Sequence, residues 1–267
     1  MPKPAASGRR RVVVQYDTAS LDVILDGVAR LLGPALVLLP SSSRDSEDFD
    51  DIADRFAAAS FLVLRPQPRG MGGSTGPMQG ITLHDLARDV AAVIAQQANG
   101  PAFVLGHAFG QWVGRCLAAD HPALVRGVVL AAAAARRPDP VLRSALARCA
   151  DPNLPQAERL AALRLAFFAP GHDPRPWLRN WHPEAGRAQR AASAATPESD
   201  WWGAGSAPVL DLQAALDPWR PRDTENDIRD DLGADRVTMR VIPHASHALI
   251  PEQPEAVVQA VLDWHAR

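Results

Sequence analysis

Cysteine is scarce: Cys116 and Cys149 are the only two in 267 residues. So few thiols exclude a disulfide framework and leave both as unpaired, largely inert groups. No apolar run reaches the roughly 20 residues of a membrane span. The first short one, Val12 to Val14, meets Gln15 and Asp17 too soon to be the core of a signal peptide. Taken together, these absences make the cytoplasm the expected location. Neither sign of charge is in excess. The net charge is −2 and the pI about 6.4, so there is no electrostatic footprint for nucleic acid or an anionic membrane. Arg9, Arg10 and Arg11 form the one tight basic run, expected to be a solvated tail. The short pattern Arg69-Gly70-Met71-Gly72 lacks the six-residue form of a nucleotide cradle. No His/Cys/Asp group has ligand spacing along the chain, so neither metal nor cofactor is expected.

What is present is a chain of 47% hydrophobic and 22% charged residues, ordinary for a single domain with a sizeable core. Short β-branched runs alternate with longer Ala/Leu-rich amphipathic stretches. Ala35–Leu39, Phe61–Leu64, Ala102–Leu105, Val128–Leu130, Val209–Leu212 and Val237–Ile242 read as buried strands. Glu47–Ala58, Leu83–Gln97, Gln111–Ala119 and Pro254–His265 carry helical spacing. The alternation predicts an α/β fold, a mostly parallel central sheet with helices on both faces. Val12 to Leu25 is expected to add an antiparallel hairpin.

One interval breaks the rhythm. From about residue 136 to 206 there is no strand candidate, only helical pieces such as Glu158–Phe168 between Pro- and Gly-rich joints. The expected organisation is a core of 1–135 and 207–267 with a helical cap at 136–206, lying where open α/β sheets bind ligands. The cap holds Trp177, Trp181, Trp201 and Trp202. With Phe167 and Phe168 they suggest an apolar pocket, and Trp177, Trp181 and Phe168 are its expected substrate-binding wall.

After the strand ending at Leu105 stands Gly106-His107-Ala108-Phe109-Gly110, followed by a helix. This is the strand–turn–helix setting of a nucleophile elbow, G-x-S-x-G, with alanine at its apex. Further motifs fall in order: Leu38-Leu39-Pro40-Ser41-Ser42, Arg69-Gly70-Met71-Gly72-Gly73-Ser74, Asp120-His121-Pro122, and Pro243-His244-Ala245-Ser246-His247 before Glu252-Gln253-Pro254. Over nearly its whole length the chain resembles the α/β-hydrolase fold family.

The resemblance implies roles. His247, between a strand and the last helix, is the expected general base, with His244 a rival near the site. Asp217, in Leu216-Asp217-Pro218 after a strand, is the expected acid. The alternative position, after Leu130, offers only alanines, and Asp211 lies within a strand. Such an aspartate fixes the histidine tautomer and stabilises the imidazolium. The oxyanion hole falls to the backbone N–H groups of Ser42 and Phe109, with Ser41 as an added contact beside them. His107 reads as packing beside the elbow and His121 as a helix end. His84, His172, His182 and His265 read as surface groups.

Ala108 leaves two readings. Either the chain is a serine-to-alanine variant, with about a million-fold less turnover but intact binding, or alanine is native and the Asp–His dyad works without a covalent step. Cys116 cannot substitute, because eight helical residues put it about 12 Å from Ala108. The expected activity is hydrolysis of a small, largely apolar ester or lactone, impaired or atypical in mechanism. Ligand binding without turnover and proton transfer by His247 are the alternatives. The expected partner is a small-molecule substrate, with the chain a monomer or homodimer.

Overall fold

The computed structural model describes residues 8–27 and 33–266. The hairpin is β1 (Arg10–Tyr16) and β2 (Ala19–Asp26), paired antiparallel from Arg10↔Leu25 to Tyr16↔Ala19. Then follow β3 (Ala35–Leu39), α1 (Asp50–Ala58), β4 (Leu62–Pro66), α2 (Leu83–Gln97), β5 (Ala102–His107), α3 (Phe109–Asp120) and β6 (Val125–Ala131). Next come α4 (Pro140–Ala150), α5 (Gln156–Ala166), α6 (Pro183–Ala194) and α7 (Glu198–Trp201), all before the next strand. The chain finishes with β7 (Val209–Ala214), α8 (Asp227–Leu232), β8 (Val237–Ile242), α9 (Leu249–Glu252) and α10 (Pro254–His265). The eight-stranded sheet has the order β1-β2-β4-β3-β5-β6-β7-β8. It is parallel from β4 to β8 and antiparallel only where β2 meets β1 and β4.

The period of two explains the layering. Along β3, Val37 and Leu39 join one apolar cluster with Leu86, Val90, Val113 and Leu117 of α2 and α3. Leu36 and Leu38 join another with Ile52 and Phe56 of α1 and Val257 and Val261 of α10. A strand covered on both faces has no use for polar alternation, hence the continuous run ALVLL. A third cluster binds Leu142, Cys149, Leu163, Phe167, Phe168 and Trp177 to Trp219 and Ala248, so α4 and α5 have their own interior seated on the loops after β7 and β8, while α6 and α7 pack into the first cluster through Ala192 and Trp201.

Boundaries shift where local chemistry competes with periodicity. The predicted helix from Glu47 begins as a 3-10 turn, Ser46–Phe49, because the Asp45 carboxylate caps the Glu47 N–H at 3.0 Å. The strand predicted at Phe61–Leu64 runs instead to Pro66. Arg65 at its end is fully buried, its Nε 2.7 Å from Asp26 on β2. The arginine run is not a loose tail: Arg9 bonds Asp26 and Asp54, and Arg11 bonds Asp22 and Glu47. Carboxylates on the adjoining β2 and α1 region supply partners that proximity in sequence does not reveal. Among the described residues, no helix is long and apolar enough to cross a membrane.

Candidate active site

The elbow begins where β5 ends. Ala108 has φ +48° and ψ −109°, a conformation that side-chain-bearing residues rarely adopt and that costs on the order of 1–3 kcal/mol. Its N–H donates to the Ala131 carbonyl at 2.9 Å, tying the apex to the end of β6. The flanking glycines make the turn possible. A Cβ on Gly106 would lie 2.3 Å from the Gln111 nitrogen, and one on Gly110 would lie 2.2 Å from the Leu39 carbonyl oxygen. Ala108, partly exposed, opens into a cavity of about 980 Å³.

His247 and Asp217 stand 30 residues apart and meet. Asp217 Oδ2 lies 2.9 Å from His247 Nδ1 and Oδ1 lies 3.2 Å away, with both side chains almost wholly buried. Oδ1 also accepts the Trp219 N–H at 2.9 Å, which fixes the carboxylate in its turn. The Trp219 ring stacks on the imidazole at 5.1 Å and 27°, and Phe167 approaches it at 5.5 Å. Nδ1 is thereby committed to the carboxylate. Nε2 has no partner among the described hydrogen bonds, and His247 lines the same cavity as Ala108.

The loop carrying His247 is pinned from three sides. Glu252 accepts the N–H groups of Ser246 and Ala169, each at 2.6 Å. Ala248 N–H donates to Phe167 O at 2.8 Å, and Leu216 N–H to Ala245 O at 2.9 Å. Burial raises the Glu252 pKa, and the two amide donors oppose that shift. His107 completes the support: its Nε2 lies 2.7 Å from the His247 carbonyl oxygen. Burial, with His247 next in effect, pushes the His107 pKa down to about 3, so the ring is neutral and Nε2–H is the donor. His244, the rival, is a turn residue at φ +55° whose carbonyl accepts from His172.

Opposite lies the loop after β3. Ser41, Ser42 and Ser43 all line the cavity. The Ser43 N–H donates to Gln189 Oε1 of α6 at 2.9 Å, and Ser42 Oγ lies 3.1 Å from the same oxygen. The N–H of Ser42, and that of Phe109 as first residue of α3, have no partner among the described hydrogen bonds. Next to them Arg44 is clamped by Asp48 at 2.5 and 2.6 Å and lies over the rings of Trp177 and Trp181 at 4.7 and 4.9 Å.

That stacking corrects the expected wall. Trp177, Trp181 and Phe168 do not line the cavity: Trp177 and Phe168 are interior to the inserted helices, and Trp181 packs against them beneath Arg44. Phe167, Trp112, Trp201, Trp202 and Trp219 line it instead, with Arg143, Arg187 and Arg190. Periodicity within helical pieces does not say which aromatic turns toward an interior that other segments create. Gln189 also escaped the sequence, since no motif marks a glutamine that bridges to a loop 146 residues away.

Three histidines taken as surface groups are bonded, His172 to the His244 carbonyl and two to carboxylates. His182 reaches Asp45 at 3.0 Å. His84 reaches Asp120 at 2.7 Å and Asp200 at 3.3 Å. The expectation that no His/Cys/Asp group has metal spacing fails in space, because His84, Cys116 and Asp120 bring ligand atoms within 4.8 Å of one another. Asp211 is structural, paired with Arg220 at 3.1 Å inside the fold.

A family model described as the alpha/beta hydrolase family matches residues 36–260. The chain belongs to the alpha/beta hydrolase family. Among its relatives, this family member is 30% identical over 227 residues to RutD of Variovorax paradoxus (strain S110), a protein named for carbamate hydrolysis, covering 78% of this chain and 83% of that one. It is 32% identical over 97 residues to 2-(acetamidomethylene)succinate hydrolase of Mesorhizobium japonicum. That match spans 36% of this chain and about a third (34%) of the relative. A solved hydrolase structure from Pseudomonas aeruginosa PA01 superposes with a TM-score of 0.73 at 25% identity, covering 97% of this chain and 99% of that one.

Proposed function

We propose that this chain hydrolyses a small acyl compound using His247 as general base on water, with Asp217 orienting the ring and no covalent acyl step. The observation that carries this is the buried Asp217–His247 contact at 2.9 Å, which spends Nδ1 and leaves Nε2 without a partner in a cavity shared with Ala108. A retained carboxylate–imidazole pair is what a proton-accepting ring needs. An apex without a hydroxyl is the space a water requires. In the proposed reaction His247 Nε2 takes a proton from that water, whose oxygen attacks the acyl carbon. The resulting oxyanion is held by the Ser42 and Phe109 N–H groups. Collapse expels the alcohol or amine, which takes the proton back from His247.

The aromatic wall of Phe167, Trp112 and Trp219 suits the apolar part of an ester or lactone. Because the two relatives are named for a carbamate and for an acetamido compound, amides and carbamates belong in the substrate screen. The helices of 136–206 serve as the cap in this reading: α6 reaches the serine loop through Gln189, and α7 supplies Trp201.

The test is a screen of aryl esters, lactones, amides and carbamates against this chain and its His247→Ala variant. Turnover that falls about a thousand-fold or more in the variant, with no acyl adduct in intact mass spectra, supports the reading. Unchanged turnover in His247→Ala removes the base from the mechanism. A second reading, proton transfer or tight binding without hydrolysis, rests on the missing hydroxyl of Ala108. It is favoured if a ligand is retained or isomerised while no acyl bond is cleaved.

A further inference from the structure

A second group of reactive side chains lies outside the cavity. Cys116 and Asp120 stand one helical turn apart on α3, and His84 stands at the start of α2, which packs alongside. Cys116 Sγ is 3.4 Å from His84 Nδ1 and 3.6 Å from Asp120 Oδ2. Nδ1 and Oδ2 are 2.7 Å apart. Around a tetrahedral zinc ion, with bonds of about 2.0–2.3 Å, neighbouring donor atoms lie roughly 3.3–3.6 Å apart. Two of the three edges already have that length. The third is a hydrogen bond, and it opens by about 0.6 Å once an ion replaces the shared proton.

The surroundings suit an ion. His84 Nε2 lies 3.3 Å from Asp200 Oδ2 on α7. A carboxylate on the far nitrogen keeps the proton there and leaves the near nitrogen's lone pair for a metal, the usual support of a ligating histidine. The thiolate and Asp120 supply two negative charges for a dication. Cys116 is fully buried while the side chains of His84 and Asp120 are about one-third exposed, at 33% and 27%. The site therefore has a closed floor and an open side.

We propose that His84, Cys116 and Asp120 bind a thiophilic divalent cation of the Zn²⁺ class, with Asp200 orienting His84 from behind. On binding, the sulfur–metal bond replaces the S–H bond and the thiol proton passes to solvent, as does the proton shared by Nδ1 and Oδ2. The ion joins α2, α3 and α7, and α7 carries Trp201 of the cavity wall. The site is structural and takes no part in the chemistry proposed for His247.

The test is titration of the chelator-treated chain with Co²⁺ and then Zn²⁺. A thiolate-to-cobalt charge-transfer band, with the intense visible bands of tetrahedral cobalt, is expected and is displaced by Zn²⁺. Cys116→Ser abolishes the band, Cys149→Ser keeps it, and Asp200→Asn weakens Zn²⁺ affinity about 10- to 100-fold. Should Cys116→Ser fold poorly, His84→Gln gives the same readout. Absence of the band in the original chain, or equal Zn²⁺ affinity with and without Cys116, overturns the proposal and leaves His84 as an imidazolium held between Asp120 and Asp200.

Discussion

His107 donates its Nε2–H to the main-chain carbonyl of His247 at 2.7 Å, so the residue just before the elbow apex holds the loop of the proposed base. The elbow and the histidine loop lie 140 residues apart along the chain. This bond, the Glu252 clamp and the Phe167 carbonyl set their separation.

The pH dependence of stability follows from that ring. An unfolded histidine protonates near 6.5, whereas buried His107 does so only near about 3. Between those values the unfolded chain binds the extra proton. Stability is therefore retained above about pH 6.5 and falls toward pH 3, by up to about 1.4 kcal/mol per unit. His107→Gln keeps an amide donor and removes the titration. Denaturant unfolding near neutrality and at about pH 5 should show the original chain losing about 2 kcal/mol more than the variant; equal losses would exclude this origin.

Ala108→Ser restores a hydroxyl beside His247. Aryl-ester cleavage should rise at least a hundred-fold, with an acyl adduct on the new serine visible by mass spectrometry. A variant inert to a broad ester panel would show that the cavity does not seat esters at this apex.

Asp217→Asn keeps the volume but lets the imidazole adopt the wrong tautomer. Any turnover that depends on His247 should drop about ten-thousand-fold, with KM little changed. A drop of less than ten-fold would mean that the carboxylate only shapes its turn.

Gly110→Ala sets a Cβ 2.2 Å from the Leu39 carbonyl oxygen and 2.7 Å from the Leu39 carbonyl carbon. Backbone cannot swing aside as a side chain does, so α3 must retreat from β3. The expected loss is about 3 kcal/mol, read as a shifted denaturant midpoint. An unshifted midpoint would contradict so close an approach.

Gln189→Ala frees the Ser43 N–H and the Ser42 hydroxyl from α6. Losing two buried hydrogen bonds should cost about 1–3 kcal/mol. If the serine loop forms the oxyanion hole, kcat should fall more than KM rises; a change in KM alone would place Gln189 in substrate binding.

Ala35–Leu39, Ala102–Leu105 and Val128–Leu130 were legible because burial on both faces keeps polar residues out of them, whereas Val237–Ile242, expected to be buried, is the edge strand and leaves Arg240 and Val241 exposed. The elbow was legible because α3 turns back on β5 at Gly106 and approaches β3 at Gly110, leaving room for glycine alone at both positions. Asp217 emerged because the other position held no carboxylate. The cavity wall was not legible. Trp177 and Trp201 sit in similar helical fragments, yet one packs under Arg44 and the other lines the cavity. That choice depends on which neighbouring surface each fragment meets.

The sequence by itself determined the order of strands and helices, the strained apex without a hydroxyl, and the types of residue available for proton transfer. Such features depend on near neighbours, through side-chain period, backbone sterics and turn chemistry. Tertiary structure alone decided that Asp217 meets His247, that Gln189 reaches the serine loop, that Arg9 and Arg11 are tied to the carboxylates of β2 and α1, and that His84 stands beside Cys116. Those pairings join residues far apart along the chain, and only the packing of helices against the two faces of the sheet fixes the distances between them.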